Sequence, residues 1–303
     1  MEEEKDVLDF MNPGIELVVG IVVLLVFSLL GTATAYAYAN WASNGMGLQG
    51  TLHDLVENNT LTNRDIVRYS NLLVHLFAFT LASIVVAWFV SKRRWVKYLK
   101  LNRIPRLHWF VFGVTLILVS LPFISLSYWI NMQLPLPEWA VRIEDETSAM
   151  LEAMLTMNSP MELVSNLLVM AMVPAIGEEL LFRGIILQYF EKLLKREHLA
   201  VWITAFIFSA IHFQFEGFIP RFLLGAILGY LFVWSRSIWV PIAAHFFFNG
   251  SQVAAKYFMD IEIEKANEIS PNWIAGISSL VLSGIIINYL YNKRKEDETS
   301  RIK

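Results

Sequence analysis

The feature that most constrains this chain is a succession of long apolar runs separated by short polar connections. The runs lie near residues 15–38, 72–90, 109–130, 162–190, 199–215, 221–235, 238–256 and 272–290. A helix crosses a bilayer with about 20 apolar residues, because its backbone polar groups are satisfied within the segment. Eight such runs predict an all-α fold, a polytopic membrane helix bundle with about eight transmembrane helices. Composition agrees: 56% of the residues are hydrophobic and 17% charged, against about 25% charged in soluble domains. A water-soluble enzyme is therefore excluded. A net charge of −3 gives no basic footprint for nucleic acid. The absence of cysteine removes disulfides, thiolate metal sites and a cysteine nucleophile. No repeat, low-complexity tract or long linker divides the chain, so residues 1–303 read as a single integral membrane domain.

Positive charge orients such a bundle. The connection after the second run carries Lys92, Arg93, Arg94, Lys97, Lys100, Arg103 and Arg106, which places it in the cytoplasm. By parity Lys192, Lys195, Arg196, Arg236 and the tail Lys293, Arg294 and Lys295 also fall inside, as do both termini. Asn40–Ser70 and Asn131–Pro160 fall outside. The acidic leader (Glu2, Glu3, Glu4, Asp6) does not resemble a signal peptide, so the first run reads as a retained helix. No targeting address is present, and a bacterial plasma membrane is the default location. Segment 138–157 spaces Trp139, Ile143, Met150, Leu151, Met154 and Leu155 at helical intervals. That suits an amphipathic helix at the outer interface, with a plain connecting loop as the alternative.

Charged side chains cost at least about 2.5 kcal/mol each inside the hydrocarbon, so those that remain are candidates for function. The fourth run holds Glu178, Glu179 and Arg183, the fifth His212 and the seventh His245 and Asn249. Glu179 and Arg183 are i,i+4 neighbours and can pair. Glu178 is turned by about 100° from Glu179 and can face elsewhere. His245 and Asn249, also i,i+4, share one face. His75 has no partner motif and reads as structural, and Ser209 lacks a base. At about 1.5 Å per residue, Glu178 and His212 each lie ~18 Å from the inner ends of their spans and His245 ~10 Å. These depths predict a cluster between midplane and cytoplasm, in a cavity open to the cytoplasm.

A carboxylate and an imidazole can polarise a water between them, as general base and proton carrier. A second imidazole and an amide N–H can stabilise a developing oxyanion. These are parts for hydrolysing an amide without a covalent nucleophile. Glu178, His212 and His245 could instead ligate Zn²⁺, with water completing the site.

The motifs Glu178-Glu179-xxx-Arg183, Phe208-xxx-His212 and His245-xxx-Asn249, in that order, resemble the CPBP intramembrane protease family. That family comprises CAAX prenyl endopeptidases and bacterial relatives linked to bacteriocin processing and self-immunity. The resemblance covers about residues 160–256, a catalytic core within the single domain. It implies that Glu178 activates water together with His212, that His245 and Asn249 stabilise the oxyanion, and that Glu179 and Arg183 support the geometry. It further implies a membrane endopeptidase acting on a peptide or protein, with or without a lipid group. The family is often called metalloprotease. The amide at Asn249 and the want of a clear fourth ligand favour a mechanism requiring no cofactor, with zinc the alternative. Two other classes compete: a non-catalytic immunity or regulatory membrane protein, and a proton-coupled transporter, which would usually show inverted repeats or matched broken helices. Substrate and oligomeric state are not encoded in these motifs.

Overall fold

The computed structural model describes residues 12–259 and 271–302, so the acidic leader lies outside the described residues. The described chain is all-α. In order the helices are α1 (Pro13–Ala42), α2 (Gly47–Asn58), α3 (Leu61–Val90), a single turn α4 (Trp95–Tyr98), α5 (Leu107–Met132), α6 (Glu138–Leu155), α7 (Pro160–Leu194), α8 (Glu197–Ala210), α9 (Phe218–Ser235), α10 (Trp239–Met259) and α11 (Trp273–Ile302). Six of them, α1, α3, α5, α7, α9 and α11, are long and apolar enough to cross a membrane. The chain is a multi-pass membrane protein, with six qualifying spans among the described residues where the sequence predicts about eight.

The two runs that fall short are the ones that carry the histidine motifs. Helix α8 has 14 residues, about 21 Å at 1.5 Å per residue, which is less than the ~30 Å hydrocarbon core. Helix α10 has 21 residues but is interrupted by His245, Asn249, Gln252 and Lys256. Pro241 lies in the first turn of α10, where a missing N–H forfeits no helical bond, so it opens that helix and need not kink it.

The second span differs in the other direction. It begins at Leu61 rather than near residue 72. Arg64 and Arg68 read as connection residues by hydropathy, yet both are buried. Arg64 lies 2.9 Å and Arg68 3.3 Å from the same Glu162 oxygen at the start of α7. Arg68 also donates to the carbonyls of Met154 and Thr156, each at 3.0 Å. Pairing across the fold lets these guanidinium groups lie inside the protein.

The bundle has two unlike ends. One gathers α2, α6, the loop after α8 and the first turns of α3 and α7. Asn131 there bonds the Phe215 carbonyl and the Ile219 N–H, and Glu144 accepts from the Glu216 N–H. The other end gathers residues 91–106, the end of α7, the α9–α10 turn and the later part of α11. Gln188 reaches the Tyr98 carbonyl, Trp239 the Leu101 carbonyl, and Arg106 pairs with Asp297. All seven Lys and Arg residues of the 92–106 connection lie at this second end.

The helix of segment 138–157 is real and serves the site. Ala140, Glu144, Ala153, Met154 and Leu155 of α6 are buried, and Trp139 meets Phe215 edge-on at 5.2 Å between ring centroids. Met154 and Ala153 pack with Leu55 of α2 and Val67 of α3, fixing α6 across the end of the bundle. Between α3 and α7 the packing is close. A Cβ at Gly177 would stand 2.9 Å from Phe79 Cβ and Thr80 Oγ1, so glycine at this position brings the carboxylate-bearing stretch against α3.

Candidate active site

Helix α7 is not regular, and its irregularities bracket the acidic pair. Residues Leu167–Met172 and Phe182–Leu187 form π-helical turns, and Val173–Leu181 between them is α-helical. Pro174 follows the first π turn directly, where the α ladder is already interrupted, so its missing N–H is tolerated. Each π turn adds a residue and shifts the register of the helix beyond it. The acidic pair lies in the regular stretch between them, where neighbouring side chains are turned by about 100° and meet two surroundings.

Glu179 points into the protein and is fully buried with Arg183. The Arg183 Nη1 donates to Glu179 Oε1 at 2.7 Å, and Nη2 donates to the Gly225 carbonyl at 2.8 Å. The guanidinium also lies 5.0 Å from the Phe208 ring centroid, a cation–π contact. Glu179 Oε1 accepts a second bond, at 2.8 Å, from His245 Nδ1. The pairing anticipated from the i,i+4 spacing is present, and the structure adds that Glu179 grips His245.

Glu178 faces the other way, into a cavity of about 440 Å³ that His212, His245, Asn249 and Phe248 also line. Its Oε2 lies 3.9 Å from His245 Nε2. The structure thus brings Glu178, His212, His245 and Asn249 to one cavity and leaves Glu179 and Arg183 behind its wall. Phe208, buried beneath the site, meets the His212 ring at 5.2 Å and the His245 ring at 6.0 Å, both edge-on. Ser209 donates to the Phe218 carbonyl at 2.7 Å, a structural bond. His75 stacks on Phe79 at 4.9 Å.

Hydrogen bonding assigns the imidazole protons. His212 Nδ1 lies 2.7 Å from the Phe208 carbonyl oxygen. A carbonyl can only accept, so Nδ1 carries the proton and the lone pair is on Nε2. His245 Nδ1 likewise donates to the ionised Glu179, as does Arg183. Neutral His245 therefore has a lone pair at Nε2 and offers an N–H there only as imidazolium.

His212 lies beyond the end of α8, in the turn that follows Ala210, and not within a span as the fifth run suggests. Phe213 after it takes a left-handed conformation (φ 52°) that reverses the chain. The cavity's remaining walls come from the same end of the bundle. Glu144, Ser148, Leu151, Glu152 and Leu155 form one stripe of α6 along it, with Tyr128 of α5 and Arg221 of α9. The expectation of a cavity open toward the basic connection is thus corrected: it opens at the opposite end. The reason is the 14-residue length of α8, which starts at the basic end and delivers His212 most of the way across.

Two residues of this wall escaped the sequence reading. Arg221 donates to Gln214 through its carbonyl at 3.3 Å and its Oε1 at 2.6 Å. Glu144 is buried although it lies on an amphipathic helix. Arg221 sits nine residues past His212 in an apolar run, a charged outlier of the kind that flagged Glu178. Glu144 had no such signal, since acidic residues surround it.

Among the described residues no group of three or more His, Cys, Asp or Glu side chains is arranged to hold a metal ion. The Glu178, His212 and His245 set thus forms no ligand cage in this arrangement.

Fold and cavity together define an all-helical, multi-pass membrane protein with an acid–imidazole–carboxamide cluster in its interior. Residues 160–251 match the family model described as type II CAAX prenyl endopeptidase, Rce1-like. This bears out the resemblance drawn from the three motifs, over just under a third of the chain. A curated relative, the uncharacterized protein YpbD of Bacillus subtilis (strain 168), is 25% identical over 109 residues. The alignment covers 35% of this chain and 53% of YpbD, so the chain spans about half the length of that relative. No solved structure matches the chain.

Proposed function

We propose that the protein is an intramembrane endopeptidase that hydrolyses a peptide bond of a membrane-associated substrate with a water activated by Glu178 and His212. The family match supports a membrane protease of the CAAX type. The observation that carries the finer reading is the division of labour in the acidic pair: Glu178 faces the cavity while Glu179 is spent on Arg183 and His245. One carboxylate is left for chemistry and the other for geometry.

The steps follow from the assigned protons. A water held between the Glu178 carboxylate and His212 Nε2 gives a proton to Glu178 as its oxygen attacks the scissile carbonyl carbon. The carbonyl π electrons move to oxygen, and the oxyanion is met by the Asn249 amide N–H and by His245 Nε2–H in its imidazolium form. The C–N bond then breaks, and Glu178 returns the proton to the departing amine. No cofactor is needed for this sequence, in keeping with an amide rather than a metal ligand at Asn249. Zinc dependence makes the opposite forecast: a chelator would abolish activity and Zn²⁺ would restore it, whereas the water mechanism loses less than twofold.

Reading the Lys/Arg-rich connections as cytoplasmic, with both termini inside, puts the cavity mouth and α6 on the outer face. The substrate would then present its cleavage site from that side, in a bacterial cell from outside the plasma membrane. The deciding experiment compares peptide termini in membranes from cells expressing wild type and Glu178→Gln at matched levels. Termini unique to wild type are expected and would identify the substrate. Identical termini from two folded, inserted proteins would overturn the protease reading in favour of a non-catalytic regulatory or immunity role.

A further inference from the structure

The wall of the active-site cavity holds a cation that the proposed reaction does not use. Arg221, in the first turn of α9, is the one lysine or arginine among the described residues that line it. Its side chain is partly buried. Two bonds hold it: Nη1 donates to the Gln214 carbonyl at 3.3 Å, and Nη2 donates to Gln214 Oε1 at 2.6 Å. Both acceptors are neutral, and both belong to the turn that follows His212. A Cβ on Gly217 would stand 2.8 Å from Nη2 and 3.4 Å from Cζ, so the guanidinium lies close against the bare backbone of that glycine. Gln214 and Gly217 line the same cavity.

The acids of this cavity are engaged elsewhere. Glu144 accepts from the Glu216 N–H at 3.0 Å, Glu178 lies 3.9 Å from His245 Nε2, and Glu152 pairs with Lys256 at 2.5 Å. Among the described residues Arg221 makes no ion pair, and its hydrogen bonds are the two to Gln214. A guanidinium carries more N–H donors than those bonds use. Keeping a cation in a partly buried wall costs free energy. A neutral amide could hold the same turn without that cost. A cation with spare donors suits a second, anionic acceptor, which the described residues do not supply.

We infer that Arg221 is a specificity-determining residue that pairs with a carboxylate of the substrate peptide. The inference rests on the endopeptidase reading and deepens it. The anionic groups of a peptide are its Asp and Glu side chains and its C-terminal end, and the planar guanidinium fork matches a carboxylate. The shared chemistry is the carboxylate, whichever of these supplies it. Arg221 is tied to the turn that follows His212, so one stretch of chain positions both the anchor and the imidazole. A seated carboxylate therefore sets the register of the peptide against Glu178 and His212.

The test measures binding apart from turnover. The full-length Glu178→Gln variant in neutral detergent captures peptides from a synthetic random-sequence mixture, and mass spectrometry reads what is retained. Peptides with Asp or Glu and a free C terminus should be retained about tenfold better than their Asn, Gln and C-terminally amidated counterparts. Adding Arg221→Gln should abolish that preference. Arg221→Lys keeps the charge but lacks the fork, and should lose about threefold or more of it. Arg142→Gln, at an exposed cation on α6, should leave it unchanged. Loss of retention on amidating the C terminus alone assigns the chain end, and loss on exchanging Asp and Glu alone assigns a side chain. Peptides retained through Arg221 but never cut by wild type would count against the protease reading and leave the carboxylate site in place. No carboxylate preference in the folded Glu178→Gln protein, or full preference in a folded Arg221→Gln or Arg221→Lys variant of it, would overturn the inference.

Discussion

The two ends of this bundle handle buried charge in opposite ways. At the α6 end the charges are few and individually committed: Arg64 and Arg68 to Glu162, Lys256 to Glu152, Arg183 and His245 to Glu179. The carboxylate of Glu178 faces the cavity beside His212, His245 and Asn249. At the other end lysines and arginines from four segments share one concavity with Glu191 and Glu197. Fixed, paired charge preorganises a site for chemistry, because nothing has to reorient as the reaction proceeds.

The sharpest way to break this contrast is to neutralise one residue at each end. Glu178→Gln should lower peptidase turnover by about 10²–10⁴-fold, the usual contribution of a general base, without loss of thermal stability. Lys100→Gln should stay within about twofold of wild type in the same assay. Comparable losses from both would show that the chemistry is not confined to the α6 end.

Stability should divide the ends as well. Glu162→Gln leaves Arg64 and Arg68 buried without their carboxylate, and should cost about 3–5 kcal/mol. Glu197→Gln removes one partner of the more accessible Arg294 and should cost about 1 kcal/mol or less. Unfolding in detergent measures both, and a larger loss from the Glu197 variant would contradict the picture of committed charge at the α6 end.

The absence of native cysteine makes the chain ready for single-cysteine labelling. In intact cells an impermeant maleimide should modify Ser148→Cys, on the cavity-lining face of α6, at least tenfold faster than Lys97→Cys. Reversal of that ratio, with both modified equally after lysis, would invert the membrane orientation and return the cavity to the cytoplasm.

The smallest effect concerns pH. Lys100 is held near 8 in the folded protein, below its ordinary 10.5. Below about pH 8 both folded and unfolded states carry the proton. Between about 8 and 10.5 the unfolded state binds more, so stability should rise with pH across that window. Lys100→Met should flatten the rise, as seen in melting temperatures at pH 7.5 and 9.5.

Much of the site was legible because intramembrane charge is conspicuous. Glu178, Glu179, Arg183, His212, His245 and Asn249 stand out as polar residues in apolar runs, and helical spacing alone told which pairs share a face. The same reasoning stopped at Arg64, Arg68 and Glu162. Near the ends of apolar runs a charged residue looks like the start of a connection, and only its partner, some ninety residues away in sequence, reveals it as interior.

By itself, then, the sequence determined an all-helical membrane bundle, the acidic and imidazole groups available for chemistry, and the basic character of one set of connections. Those are properties of local composition and of the 3.6-residue period. Only the tertiary structure decided that α8 stops after 14 residues, that Glu179 is spent on Arg183 and His245 while Glu178 faces the cavity, and that the cavity opens away from the basic connections. These depend on which helix ends meet, and neither apolar content nor periodicity carries that information.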